Sequence, residues 1–348
     1  MYIKEETGKD MKWKKGMDSV SFDCLDWLYL EDYEGNIQLA SEPYFKPVKL
    51  ADGVWQVLTD GDYTYVLEGD DEAICIDTGN GAGNIRRFAE ELTGKPVYRA
   101  INTHCHFDHT CNNYLFDVVY MHPNSYPGRC RPNELFKNME FPDDYPVVFI
   151  NEGDVFNLEG RPLEVFNEEN HAIGSLQFLD KKSRILFVGD EVHGNFLDCG
   201  APVEHCYRVL SKFESLRPYY DRIAAGCGVW DAIYIDKYLE ILKYILDGHA
   251  YEGETEFPPF ADVTASVSEL NGKVVNHRRC PHVWSLGTEF SRFEAGRALL
   301  EKYGAPAIGM TRRFGPDAPF DTRMVKDGFI VHYYRNKIWG KLDTKIRR

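Results

Sequence analysis

Between Thr103 and Thr110 the chain reads Thr-His-Cys-His-Phe-Asp-His-Thr, so His104, His106, Asp108 and His109 fall within six positions. Imidazole nitrogen and carboxylate oxygen suit zinc, which takes four ligands tetrahedrally at about 2.0–2.2 Å. His104 and His106 alternate, so on an extended segment or a tight loop they point the same way, while Asp108 and His109 fall just beyond and face a neighbouring point. The spacing suggests two adjacent half-sites, with no cofactor needed beyond the ions. Val97 to Thr103 alternates like a strand, which places the cluster at a strand's C-terminal end, where ligands bind in open α/β sheets. A polar loop with hydrogen-bonded histidines is the plainer alternative, and the density of ligand types argues against it.

The His-x-His-x-Asp-His run resembles the signature of the metallo-β-lactamase superfamily, and other markers of that family follow. Asp77 in Ile-Cys-Ile-Asp-Thr-Gly matches the first motif, His171 in His-Ala-Ile-Gly-Ser the third, and Asp190 in Phe-Val-Gly-Asp the fourth. The fifth position, a histidine between glycines in the family, falls here on Gly226-Cys227-Gly228. The resemblance implies that His104, His106 and His171 hold a first Zn2+, that Asp108, His109 and position 227 hold a second, and that Asp190 bridges the two. It also implies a zinc-activated hydroxide as nucleophile, because a bound metal lowers the pKa of water to about 7. Asp77 is expected behind the ligands, fixing an imidazole tautomer; a strand-end turn residue is the blander reading.

Position 227 departs from the family. A thiolate is a legitimate zinc ligand at about 2.3 Å, and its charge would make the second ion a weaker Lewis acid. A buried thiol beside a weakened or empty second site is the other reading. His193, three residues past Asp190, is a candidate to touch substrate or metal, and Asp108 and His193 are the residues expected at the reaction itself. His277, Cys280 and His282 look metal-like but lack a second pair at zinc-finger spacing. Diiron members of the family carry a carboxylate where this chain has His106, so hydrolysis is favoured over redox work.

The leading expectation is a hydrolase cleaving an ester, lactone, thioester or amide in a small molecule. A phosphodiester hydrolase is the alternative within enzymes, and a binding or sensing protein with weakened catalysis, suggested by Cys227, is the alternative outside them. The formal net charge of −15 opposes phosphate-backbone binding, so no nucleic acid is expected. No apolar run is long enough to cross a bilayer, and the charged N-terminus lacks the pattern of a signal peptide, so a cytoplasmic protein is expected. Nine cysteines without framework spacing read as mostly reduced and buried. A homo-oligomer is allowed.

Three regions are expected: an N-terminal extension (1–45), the main domain (46–250) and a C-terminal α+β extension (251–348). From Val54, short β-branched and aromatic runs split by Gly and Asp turns read as an antiparallel meander that Asp77 closes. Helical spacing follows over 82–93, and later over 203–216 and 232–247, with a second β-rich block between Val155 and Asp190. This order fits an α/β, four-layer αββα sandwich, which is also the fold the resemblance implies. Pro123 to Pro146 reads as a long lid over the site, and the Glu191 to Cys206 loop as a second specificity element. Beyond Glu252, strand-like KVVNH and FIVHYY and a helix near 290–303 are expected.

Overall fold

The computed structural model describes residues 45–58, 62–79, 84–129, 145–194, 196–255 and 320–335, Lys46 by its backbone alone. Beyond these it gives the backbone of strands at 28–31, 37–39, 263–264, 266–270, 273–277, 285–288 and 311–312. The lid residues 130–144, the helix expected near 290–303, the side chain of His277, and Cys280 and His282 lie outside the described residues.

The meander forms as its turns predict. β1 (Lys46–Ala51), β2 (Val54–Leu58), β3 (Tyr63–Glu68) and β4 (Ala73–Ile76) pair antiparallel in sequence order. Past α1 (Ile85–Thr93), the strand β5 (Arg99–Ile101) joins β4 in parallel. After the short helix α2 (Phe107–Thr110), β6 (Val118–Met121) and β7 (Val147–Phe149) complete a seven-stranded sheet, also in parallel. Asn84 caps α1 by accepting from Arg87 N at 3.0 Å, and Gly94 ends it in the left-handed region at φ +68°.

A six-stranded second sheet holds β8 (Val155–Leu158), β9 (Arg161–Phe166), β10 (Gln177–Asp180) and β11 (Ile185–Gly189). The chain then leaves through β12 (Phe196–Asp198) and α3 (Val203–Ser215) before returning as β13 (Arg222–Ala225) and β14 (Gly228–Asp231). β13 runs parallel to β11, and α4 (Ile233–Tyr244) follows β14.

Alternation along the strands builds the layers, because successive side chains leave opposite faces. On β4, Ile74 and Ile76 pack between the sheets while Ala73 and Cys75 pack towards α1. On β11, Ile185 and Phe187 face the same inter-sheet core, and Leu186 and Val188 face the helical layer of α3 and α4. Helix, sheet, sheet and helix therefore stack as the αββα sandwich. Each fully buried Ile or Phe contributes about 1.5–3 kcal/mol, so the inter-sheet layer fixes how the two site-bearing edges face each other.

One buried cation reinforces that layer. Arg161, 2% exposed, pairs with Asp180 in its own sheet and donates from Nε to Glu68 O at 2.9 Å and from Nη2 to Asp52 O at 2.6 Å in the other.

The last described segment packs on the same body. β15 (Thr322–Lys326) and β16 (Phe329–Tyr333) form a hairpin whose second strand pairs in parallel with β12, and Met324, Val331 and Tyr333 join the core under α3 and α4. Separately, the strand at 28–31 pairs with those at 37–39 and 285–288, and the strands at 273–277 and 266–270 extend the same sheet. Among the described residues, no helix is long and apolar enough to cross a membrane.

Candidate metal centre

The loop after β5 carries His104 and His106, and α2 carries Asp108 and His109. Beneath them sits Asp77, which ends β4 at φ +60°, a left-handed conformation that Asp tolerates better than most residues. Its carboxylate accepts from Thr103 N at 2.7 Å on Oδ1 and from Thr103 Oγ1 at 2.7 Å on Oδ2. Nδ1 of His109 lies 2.8 Å from the same Oδ2, and Nδ1 of His104 lies 3.0 Å from Thr103 Oγ1. With the threonine hydroxyl donating to Asp77, its oxygen accepts from His104 Nδ1–H. One carboxylate thus sets both tautomers and leaves both Nε2 atoms as acceptors.

Three further pieces converge from the second sheet. Gly189 closes β11 at φ +55° and delivers Asp190; Gly226 follows β13, and its N–H donates to Gly189 O at 3.0 Å. A Cβ at Gly226 would stand 2.2 Å from Asp190 Oδ1 and 2.9 Å from His109 Cε1, so only glycine lets the chain pass so close. His171 arrives on the loop between β9 and β10, held by Glu191, whose Oε2 accepts from Asn170 N at 2.8 Å and His171 N at 2.9 Å. Leu176 N donates to Thr103 O at 2.7 Å and ties this loop to the histidine loop.

The ligand-type atoms gather in four overlapping groups, each within 4.8 Å: His104, His106 and His171; His104, His109 and Asp190; His171, Asp190 and His193; and Asp62, Asp108 and His109. His106 Nδ1 and His171 Nε2 are 3.0 Å apart, His109 Nε2 and Asp190 Oδ1 3.4 Å, and His171 Nε2 and Asp190 Oδ2 3.6 Å. Ligands of a tetrahedral zinc at about 2.0–2.2 Å stand about 3.3–3.6 Å from each other, so the two Asp190 spacings fit an ion, while the His106–His171 pair sits closer, at hydrogen-bond distance. Nε2 of His104, Nε2 of His109 and Oδ1 of Asp190 are buried and make no hydrogen bond among the described residues. Buried polar atoms are rarely left so, and a shared cation satisfies them.

Electrostatics agree. Burial, with the positive fields of His109 and His106, pushes the His104 imidazole well below its usual range, which keeps its lone pair available. Burial alone would lower His109 too, yet the Asp190 and Asp77 carboxylates hold it well above its usual range. Burial would raise Asp190, but His109, His171 and His193 hold it well below the usual carboxylate range. The field beside His109 Nε2 therefore favours positive charge.

Cys227, half-buried, belongs to none of the four groups among the described residues. Its Sγ lies 3.2 Å from His193 Nδ1, and it packs against the core under α3 and α4. The His193 ring stacks on Phe196 at 4.6 Å. The other described cysteines, Cys75, Cys105, Cys111, Cys199 and Cys206, are reduced and buried. Four participants escaped sequence reasoning. Asp62 sits in a turn that read only as punctuation; Glu191 follows the conspicuous Asp190; and Asn102 and Asn113 brace the His109 carbonyl, Asn102 Nδ2 donating to it at 3.1 Å and Asn113 Nδ2 to Asn102 Oδ1 at 2.8 Å. Nothing local marks any of them.

The metallo-beta-lactamase superfamily model matches residues 59–228. That stretch of the chain belongs to the superfamily. The match spans every residue of the four groups, from Asp62 to His193. A human relative, "Acyl-coenzyme A thioesterase MBLAC2", is 27% identical over 191 residues, covering 45% of this chain and 68% of its own. The "Atrochrysone carboxyl ACP thioesterase" of Aspergillus fumigatus is 26% identical over 165 residues, covering 46% of this chain and 49% of its own. Among solved structures, the "Metallo-beta-lactamase from Pontibacter korlensis" aligns at a TM-score of 0.48 and 17% identity, over 57% of this chain and 99% of its own. The superfamily's first, third and fourth motifs thus meet its second here at one edge of both sheets.

Proposed function

We propose that this metallo-beta-lactamase-fold hydrolase cleaves an acyl thioester at a two-cation centre, with zinc the first candidate for the native metal. The observation that carries the reading is the meeting of buried, hydrogen-bond-free ligand atoms on His104, His109 and Asp190. His104, His106 and His171 would hold one cation, Asp108 and His109 the other, and Asp190 reaches both groups. A divalent cation there supplies an acidified water and a positive charge for the oxygen on which charge develops.

The chain's own part is positioning. Asp77, through its own oxygen and through Thr103, engages Nδ1 of His109 and of His104 and so turns their Nε2 atoms towards the cations. Glu191 holds the backbone of His171 in place. His193, with its ring on Phe196, stands beside His171 and Asp190, where it would touch the substrate. A departing thiolate needs no proton, so such a cleavage asks for no dedicated general acid. The relatives named as acyl-coenzyme A and acyl-carrier-protein thioesterases favour the thioester over the ester, lactone and amide. The net charge of −15 makes long phosphodiester polymers poor substrates.

The test is a panel on the purified, metal-quantified protein: acyl-coenzyme A thioesters, a lactone, a β-lactam and bis(p-nitrophenyl) phosphate. Thioester turnover that a chelator abolishes and zinc restores is expected. Phosphodiester cleavage without thioester turnover would overturn the proposal, and metal binding with no turnover at all would favour a binding or sensing role.

A further inference from the structure

The family pattern gives the second cation its last protein ligand at position 227, yet the side chain that reaches the Asp108 and His109 ligand atoms belongs to another turn. Asp62 precedes β3, and its carboxylate lies within 4.8 Å of the Asp108 and His109 ligand atoms. The placement is built into the backbone. Tyr63 N donates to Gly226 O at 2.7 Å, so the turn bearing Asp62 is bonded to the turn bearing Cys227. Two residues on, Tyr65 Oη donates to Ala225 O at 2.6 Å and lies 3.1 Å from Gly228 O, pinning the other side of that turn. An independent sign of a ligand is His109 Nε2, which is fully buried and makes no hydrogen bond among the described residues; His109 itself belongs to the Asp62 group and the Asp190 group alike.

The thiol is directed elsewhere. Sγ of Cys227 faces His193 Nδ1 at 3.2 Å and packs against the core under α3 and α4. We propose that Asp62, not Cys227, completes the second cation's ligand set, so that Asp62, Asp108, Asp190 and His109 enclose it. The inference rests on reading the site as a metal centre. Its chemical consequence is a pair of unlike sites. The first is imidazole-rich and suits zinc, whereas the second, dominated by carboxylate oxygen, is harder and accepts manganese or magnesium more readily than a thiolate-bearing site would.

The experiment is metal stoichiometry by equilibrium dialysis and elemental analysis, on the 348-residue chain and on its Asp62→Asn and Cys227→Ser variants. Two equivalents are expected in the wild type and in Cys227→Ser. Asp62→Asn should keep one and bind the other on the order of 100-fold more weakly or worse, since even residues that only orient ligands are worth about 10–100-fold. Cobalt-loaded wild type gives a second readout that needs no variant: no thiolate-to-cobalt charge-transfer band that Cys227→Ser removes. Two equivalents retained in Asp62→Asn, one lost in Cys227→Ser, or such a band would each overturn the assignment. A wild type that binds a single equivalent overturns the second site alone, and one that binds none also removes the metal-centre reading beneath it.

Discussion

Oδ2 of Asp77 lies 2.8 Å from Nδ1 of His109 and 2.7 Å from the hydroxyl of Thr103, which in turn meets His104 Nδ1 at 3.0 Å. A single carboxylate oxygen therefore governs two imidazoles from opposite ends of the His-x-His-x-Asp-His run. In Asp77→Asn the amide nitrogen either replaces Oδ2, where it would reverse both tautomers, or replaces Oδ1, where it confronts the Thr103 N–H donor. Metal affinity should fall about 10–100-fold, read by competition with a chromogenic chelator. An unchanged affinity would mean that Asp77 only shapes the turn at the end of β4.

Gly226 supplies a purely steric test. A Cβ there would meet Asp190 Oδ1 at 2.2 Å and His109 Cε1 at 2.9 Å, far inside van der Waals contact. Gly226→Ala should displace Asp190 and cost bound metal while leaving far-ultraviolet circular dichroism nearly intact, because Gly226 lies between strands rather than within one. Full metal content in that variant would show that Asp190 is dispensable for holding the ions.

Arg161 separates stability from chemistry. Its guanidinium joins Asp180 to backbone carbonyls of the opposite sheet, and both side chains are almost wholly buried. Removing one partner of such a pair strands the other charge, so Arg161→Met should lower unfolding free energy by about 3–5 kcal/mol in urea titration. Metal stoichiometry measured well below the transition should be unaltered. If metal is lost at full folding, the two sheets communicate through this clamp more tightly than packing alone requires.

The parts of this molecule that could be read from its sequence are those whose pattern is local. Unbroken apolar runs in Ala73–Ile76 and Ile185–Gly189 announce strands buried on both faces, and the crowding of His104 to His109 announces a site at a strand end. His171 and Asp190 carry no such local density and became legible only through the family's motif order. Asp62 and Glu191 stayed hidden because their roles exist only after folding. Asp62 meets Asp108 across three strands and a helix, and Glu191 accepts from the backbone of a distant loop. Cys227 shows the same limit from the other side: its position in the pattern suggested a ligand, whereas its rotamer faces His193. The three-residue strand β12 was equally unreadable, since its partner β16 lies more than a hundred residues away.

Glu191 supplies the last prediction. It is 2% exposed, and burial pushes its carboxyl up to about 7 even though the N–H groups of His171 and Asn170 pull it down. Glu191→Ala would leave those two buried N–H groups without an acceptor, at about 1–3 kcal/mol each, and free the backbone that carries His171. Both unfolding free energy and metal affinity should fall. Glu191→Gln retains an amide oxygen able to accept both bonds, so it should recover most of the metal affinity despite losing the charge. Measuring chelator competition for the pair isolates the role: if Gln is as damaging as Ala, the negative charge beside Asp190 matters, and if neither moves the affinity, the His171 loop is held by its other ties to Thr103 and Ser125.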